Sequence, residues 1–320
     1  MILVNHNGRD RLANCLQALQ PQAAEAGADV VVVDNASTDS SLEYLRSQRG
    51  RLRLITSTSN LGFAAANNLA IRESRSPYAV LLNTDTRPQP GALAALLQAA
   101  ESRSNSAAIT AKLVFADRPQ IIQNAGLLLL SDGSGGDRGT GEEDHGQFDQ
   151  PQEVFGACGA AMLLRRSALD EAGLFDESFW MYYEDLDLSW RLRLAGWRIH
   201  YEPRAVVEHE HAASSGEWSE RFTFLVDRNR LFAVLKNGAP RLVARSFSTL
   251  LLRALGSAAV QQRAPNRGLR RARTHGPVAR SFAAHLPEML AKRRFIRSRR
   301  KIADAEIERW MYPRARWDTR

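Results

Sequence analysis

Four consecutive β-branched residues, Val30-Val31-Val32-Val33, run straight into an acid, Asp34, and no other segment constrains the fold as much. A strand with one wet face alternates apolar and polar positions, whereas a run that is apolar at every position is buried on both faces. Burial on both faces requires helices above and below, so the run predicts a mostly parallel sheet in an α/β protein. The surrounding pattern agrees. Residues 1–4 read as a first strand, and residues 9–20 carry Leu12, Cys15, Leu16 and Leu19 at helical spacing. A helix over 42–46, capped by Ser37 or Thr38, leads to a strand over 52–55, a helix over 63–71 and a strand over 78–82. Pro88 is expected to stop further ladder pairing before a helix over 91–100.

Beyond this repeat, residues 131–146 are rich in Gly and acids and poor in apolar residues, which predicts a mobile surface loop. An apolar strand is expected over 154–164 and a helix over 184–195 that ends at Gly196. Two short strands follow, over 199–201 and 205–207, and from Glu217 the pattern is helical with breaks near Pro240 and Pro265. With 320 residues, 44% of them hydrophobic, the chain can bury one large α/β domain and an appendage. Its two cysteines, Cys15 and Cys158, read as buried reduced thiols and support neither a disulfide framework nor a zinc cluster. The sequence holds no apolar run of about 18 residues and no basic-then-apolar leader, so a cytoplasmic location is expected.

In an open α/β sheet ligands lie beyond the carboxyl ends of the strands, which makes Asn5, Asp34, Asn60 and Asp85 the first candidates. Asp34 could be the ribose-binding acid of a dinucleotide enzyme, but the first turn, Asn5-His6-Asn7-Gly8-Arg9-Asp10, has one Gly where a pyrophosphate cradle needs about three. Asp85, flanked by Thr84 and Thr86, is suited either to a hard divalent ion or to capping the turn before Pro88. Glu184, Asp185 and Asp187 open a helix, where backbone N–H groups favour carboxylates; one of them could act as a general base, or all could simply cap the helix.

These residues fall in segments that resemble glycosyltransferase family 2: Val31-Val32-Val33-Asp34-Asn35-Ala36-Ser37-Thr38-Asp39, Asn60-Leu61-Gly62-Phe63-Ala64-Ala65-Ala66-Asn67-Asn68, Leu81-Leu82-Asn83-Thr84-Asp85-Thr86, and Phe175-Asp176-Glu177 with Met181-Tyr182-Tyr183-Glu184-Asp185-Leu186-Asp187. The nearest likeness is to bacterial rhamnosyltransferase-like members. The resemblance implies a GT-A fold over residues 1–236, followed by a basic helical extension over 237–320, and Mg²⁺ or Mn²⁺ bridging the donor diphosphate. It places Asp34 on the nucleotide base, and Asn60, Gly62 and Asn67 along the nucleoside and phosphates, with Asn5 in the same donor site. Asn83 stands where the family's DxD motif has an acid that touches the ribose. Asp85 keeps the metal position, with His209 as second ligand and His211 as the alternative. Asp185 is the implied base, Glu184 shapes the acceptor pocket, and Trp180 and Tyr182 offer flat faces for a sugar ring. Direct attack on the anomeric carbon, aided by a cation on the leaving diphosphate, inverts that centre.

The implied reaction moves a sugar, with dTDP-rhamnose as the donor suggested, onto a saccharide or lipid-linked acceptor in bacterial surface polysaccharide synthesis. A non-catalytic nucleotide-sugar-binding or scaffold protein on the same fold is the alternative. After residue 239 twenty Lys and Arg face five Asp and Glu, whereas the first 239 residues are net −7. A basic tail of this kind suits peripheral contact with an anionic membrane surface on the cytoplasmic side. A solvated face and a homo-oligomer contact remain as other readings, and no nucleic-acid motif accompanies the charge.

Overall fold

The computed structural model describes residues 1–210, 219–248 and 265–314, with the side chains of the last segment described from residue 276. Strands β1 (Ile2–Asn5), β2 (Val31–Asn35), β3 (Arg53–Ser57) and β4 (Tyr78–Asn83) lie parallel in the order β3-β2-β1-β4. Helices α1 (Arg9–Glu25), α2 (Ser41–Ser47) and α3 (Gly62–Glu73) connect them. Beyond β4 the sheet continues with β11 (Ala161–Arg165), antiparallel to both neighbours, then β6 (Ser106–Phe115) and β12 (Arg198–His209), which run parallel to each other. Short strands β5 (Thr86–Pro88), β7 (Arg118–Asn124) and β10 (Gln152–Glu153) complete this sheet at its far edge.

The valine run behaves as its composition requires. Val31 and Val33 face a layer that includes Ala64, Ala66 and Ile71 of α3 together with helices α5 (Arg166–Ala172) and α6 (Glu184–Leu194), while Val30 and Val32 face α1 and helix α4 (Ala92–Glu101). Each fully buried valine or leucine stabilises the fold by about 1.5–3 kcal/mol, so these two layers form the main core.

Several expectations are corrected. Pro88 does not end pairing: β5 runs antiparallel to β12, with Val207 opposite Pro88, and the carbonyl of Pro88 turns outward to Gln22 Nε2 at 3.3 Å. The missing N–H of a proline at that outward-facing position removes no ladder bond. The two strands expected over 199–207 are one strand with a bulge between Glu202 and Val206, and residues 154–160 are not strand, their Phe155 carbonyl being taken by Arg193 Nε at 2.7 Å. The segment 131–146 is folded back on β7 rather than free. It contains β9 (Gly135–Asp137), which pairs with β8 (Leu127–Leu130), and it exchanges backbone hydrogen bonds with Ile122. Lys112, 5% exposed, forms ion pairs with Asp144 in this segment and with Asp149 just after it. At α2 the cap position falls on Ser40 rather than Ser37 or Thr38, and the first-turn N–H of Ser41 bonds Asp39 Oδ1 at 3.0 Å.

The C-terminal third packs on α6. Helix α7 (Glu220–Asn237) lies against helix α8 (Pro265–Arg299), and helix α9 (Asp304–Glu308) precedes β13 (Met311–Tyr312), which pairs with β8. Val234, Leu242, Ile296 and Ile307 join Leu186, Trp190 and Leu194 of α6 in one buried cluster. Gly133, with φ +82, passes against Val234 so closely that a Cβ there would collide with it. Residue 236, where the sequence places the end of the first domain, falls inside α7. Among the described residues no helix is long and apolar enough to cross a membrane, and both cysteines are free thiols.

Candidate active site

The carboxyl ends of β1, β2 and β4 meet in register, Asn5 beside Asp34 and Val4 beside Asn83. Asn5 is fully buried, and its Nδ2 donates to Ser37 Oγ at 3.1 Å. Asp34 is 2% exposed and its Oδ2 accepts from the Ser37 N–H at 3.3 Å. Asn5 Oδ1 and Asp34 Oδ1 have no hydrogen-bond partner. A buried acceptor left unpaired destabilises a protein by about 1–3 kcal/mol, so two at adjoining strand ends suit a ligand that brings donors.

Asn60 closes one side of this region. Its Oδ1 accepts from Asn35 Nδ2 at 3.1 Å and from the Gly62 N–H at 2.9 Å, while Asn35 Oδ1 accepts from the Leu61 N–H at 2.8 Å. Asn35 thus fixes the Asn60–Gly62 turn, a role that the sequence signalled only by its place beside Asp34. Gly62 has φ +77, and a Cβ there would lie 2.5 Å from the Trp180 carbonyl oxygen and 2.6 Å from its ring, so only glycine fits. Asn67 turns back into its own helix, donating from Nδ2 to the Phe63 carbonyl at 2.9 Å, and is 2% exposed. The structure therefore does not bring its side chain to the cleft.

Past β4 the chain turns through Asn83-Thr84-Asp85 into β5. Asn83 is half-buried, and its N–H bonds the Ala160 carbonyl at 2.9 Å. Because β5 pairs with β12, with Thr86 opposite His209, the side chains of Asp85 and His209 converge: Asp85 Oδ1 lies 3.3 Å from His209 Nε2. The Asp85 carbonyl also accepts from the Glu210 N–H at 2.9 Å, which locks the pairing. His209 Nδ1 faces Gln123 Oε1 of β7 at 2.7 Å. With the proton on Nδ1, the Nε2 lone pair points at the carboxylate, the tautomer a metal-binding histidine needs. One carboxylate oxygen and one imidazole nitrogen, both nearly buried, fit a divalent cation of the Mg²⁺ or Mn²⁺ kind. Among the described residues no third His, Cys, Asp or Glu completes a closed cage. A cleft of about 670 Å³ opens beside Asp85, between Arg11, Thr84 and Glu210. His211 lies outside the described residues.

The acidic pair at the start of α6 faces the same sheet end. Asp185 Oδ2 accepts from the Gly159 N–H at 3.0 Å and Oδ1 from the Leu186 N–H at 2.7 Å. Gly159 precedes Ala160, whose carbonyl holds Asn83, so two residues of backbone separate Asp185 from the turn over 83–85. Burial pushes the Asp185 carboxyl up to about 6, against the pull of those two N–H donors. Glu184, 5% exposed, is raised further by burial and by the Asp185 charge. Asp137 of β9 adds to the negative field at Asp185 and accepts from Asn124 Nδ2 at 2.6 Å; the sequence showed it only as one acid of the Gly-rich segment.

The turn before this pair is unusual. Trp180, Tyr182 and Tyr183 all have positive φ, at 64°, 69° and 69°. Each such non-glycine conformation costs about 1–3 kcal/mol and persists only where neighbours enforce it. Trp180 packs on Gly62 with the Arg221 guanidinium 4.2 Å over its ring, and the Tyr182 ring meets Phe222 edge-on at 5.0 Å. Both are half-buried, and Phe179 is fully core.

The sheet, with Asn5, Asp34, Asn83 and Asp85 at the carboxyl ends of its strands and the Asp85–His209 pair and Asp185 beside them, has the GT-A glycosyltransferase architecture. The chain belongs to glycosyl transferase family 2, whose model matches residues 1–173. An N-acetylglucosaminyl-diphospho-decaprenol L-rhamnosyltransferase of Mycobacterium tuberculosis is 28% identical over 237 residues, 65% of this chain and 77% of that protein. A pre-mycofactocin glycosyltransferase of the same species is 31% identical over 51% of this chain and 33% of its own length. Among solved structures, a mannosyltransferase of Pyrobaculum calidifontis in complex with GDP-Man and Mn²⁺ superposes with a TM-score of 0.53 at 15% identity, over 89% of this chain and 85% of that one. GalNAc-T7 with UDP, GalNAc and Mn²⁺ gives 0.60 at 13% identity, over 73% of this chain and 47% of its own. The crossed sheet, with antiparallel β11 between β4 and β6, is thus a shared fold.

Proposed function

We propose that this chain transfers a sugar from a nucleoside-diphosphate donor to an acceptor hydroxyl with inversion, using a divalent cation held by Asp85 and His209. The observation that carries this reading is the joining of the Asp85–His209 pair to Asp185 through Gly159 and Ala160 at one end of the sheet. The unpaired oxygens of Asn5 and Asp34 accept N–H groups of the base, and Asn60 and Gly62 shape the wall beside the nucleoside. When bound, the cation supplies positive charge to the departing diphosphate. Asp185 takes the proton of the attacking hydroxyl. Its two backbone donors hold it in place, and its raised pKa brings its basicity closer to neutrality while leaving it ionised at pH 7. Glu184, whose carboxyl is raised by burial and by the Asp185 charge, lies beside it and shapes the acceptor side of the site.

For the donor, dTDP-rhamnose is the first choice, supported by the mycobacterial rhamnosyltransferase relative. For the acceptor, a lipid-linked saccharide is supported by the decaprenyl diphosphate in that relative's name and by the basic C-terminal third, which suits an anionic surface on the cytoplasmic side of a membrane. The test is Asp185→Asn, assayed with dTDP-rhamnose and a polyprenyl-diphosphate acceptor. Turnover should fall by about 10²-fold or more while dTDP binding in Mn²⁺ holds. Retention of more than about a tenth of wild-type turnover would move the base role to another group.

A further inference from the structure

The three positive-φ residues ahead of Asp185 need an agent that holds them, and the structure assigns it. We infer that Asn229, on helix α7, is a positioning residue for the catalytic base: its side-chain amide clamps the turn over 179–183 that sets the first turn of α6, where Asp185 accepts from the Gly159 N–H. Asn229 is fully buried, and its Nδ2 reaches three carbonyl oxygens of that turn, those of Phe179 at 2.9 Å, Met181 at 2.8 Å and Tyr182 at 2.7 Å. The amide cannot point the other way, because its Oδ1 accepts from Arg228 Nε at 2.9 Å. Arg228 in turn donates from Nη2 to the carbonyls of Ser178 and Phe179, both at 3.0 Å.

The consequence for Asp185 is geometric. In an ordinary approach to a helix the residues before the first turn are extended, and their carbonyls point into solvent or along the chain. Here Trp180, Tyr182 and Tyr183 are turned over, so that the Phe179, Met181 and Tyr182 carbonyls converge on one amide. Tyr183 is the cap residue of α6 and Asp185 is two residues further on. Relaxing any of the three toward negative φ would re-aim the first turn of α6 and with it the carboxylate to which the Gly159 N–H donates. The other side of the turn is held by the family-matched region itself, the Ala64 N–H donating to the Trp180 carbonyl at 3.2 Å. Asn229 lies well beyond residue 173, where the family match ends, so the C-terminal third contributes a part of the catalytic apparatus.

This inference rests on the reading of Asp185 as base, and the experiment separates the two. Amide hydrogen exchange over residues 179–187, calorimetric titration of UDP, dTDP and GDP in Mn²⁺, and turnover with dTDP-rhamnose would be measured for wild type, Asn229→Ala and Asn229→Ser. Serine retains one short donor and covers the case in which the alanine variant does not fold. The expected result for Asn229→Ala is exchange faster by on the order of tenfold across 179–187 with β1 and β2 unchanged, nucleotide affinity within about threefold of wild type, and kcat lower by about tenfold to a hundredfold with the donor KM unmoved. Asn229→Ser should fall between. Unchanged exchange over 179–187 would overturn the clamp. Faster exchange with kcat unchanged would overturn the positioning role. A failure of the base reading shows separately, as Asp185→Asn retaining turnover while the exchange result stands.

Discussion

Asp185 sits where two opposing effects meet. Burial disfavours its charge, two backbone N–H groups favour it, and burial wins by enough to lift the carboxyl to about 6. A base must be ionised to act, so transfer should rise as pH climbs through about 6 and level off above 7, with the rate at pH 5 about tenfold below the plateau. Initial rates of sugar transfer from pH 4.5 to 8.5 in saturating donor check this; a profile flat across 5–7 would remove Asp185 from the rate-determining proton transfer. Asp34, Asn60, Asp85 and His209 are candidates that the sequence marks by their place at strand ends or in short motifs. Asn35, Gln123 and Asn124 were not, since each acts through a partner distant in sequence. Asn67 shows the converse: a polar residue inside a motif whose amide serves the carbonyl four residues back in its own helix.

At the scale of elements, α6 is held by charges as well as by its apolar stripe. Lys236 Nζ, nearly buried, lies 2.5 Å from Asp176 Oδ2 and 2.8 Å from Asp187 Oδ1, and Asn237 Nδ2 reaches Asp187 Oδ1 at 2.8 Å. Lys292 of α8 closes on Asp176 Oδ1 at 2.6 Å. Burial alone would raise the Asp176 carboxyl, but Lys236 and Lys292 outweigh it and hold it well below the usual carboxylate range. With a folded-state pKa below the unfolded one, this carboxylate stabilises the protein above about pH 4 and loses that contribution as pH falls. Lys236→Met leaves two buried carboxylates short of a partner and should destabilise by about 3–5 kcal/mol, read as a lower midpoint in urea at pH 7. A midpoint within experimental error of wild type would show the network to be incidental. Most strands and helices of the first hundred residues were legible from an apolar run or a helical period, whereas β5, three residues around Pro88, shows neither. β9 and the turns around it were hidden by a composition that, on its own, reads as loop; their order comes from backbone bonds to β7 and a buried lysine.

For the whole molecule, the charge count marked the chain after residue 239 as different in kind, yet α8 and β13 pack on the elements before it, α8 against α7 and β13 against β8. Val278, Met289, Ile296 and Ile307 are each under a tenth exposed, and at about 1.5–3 kcal/mol apiece they contribute about 6–12 kcal/mol, comparable with the whole stability of an ordinary domain. A chain ended after Gly238 should therefore be insoluble or unfolded by circular dichroism, whereas a soluble, cooperative product would make the C-terminal third an appendage. The excess positive charge could not reveal this, because charge reports partners and solubility while packing depends on the apolar positions between the charges. The account's central claim is that the cleft binds a nucleoside diphosphate through a cation held by Asp85 and His209, and calorimetric titration of dTDP, UDP and GDP into the full chain tests it most directly. With Mn²⁺ present one of the three should bind, and chelation of the metal, Asp85→Asn or His209→Ala should each weaken that binding by about tenfold or more. Equal affinity with and without Mn²⁺, unaffected by either substitution, would contradict it.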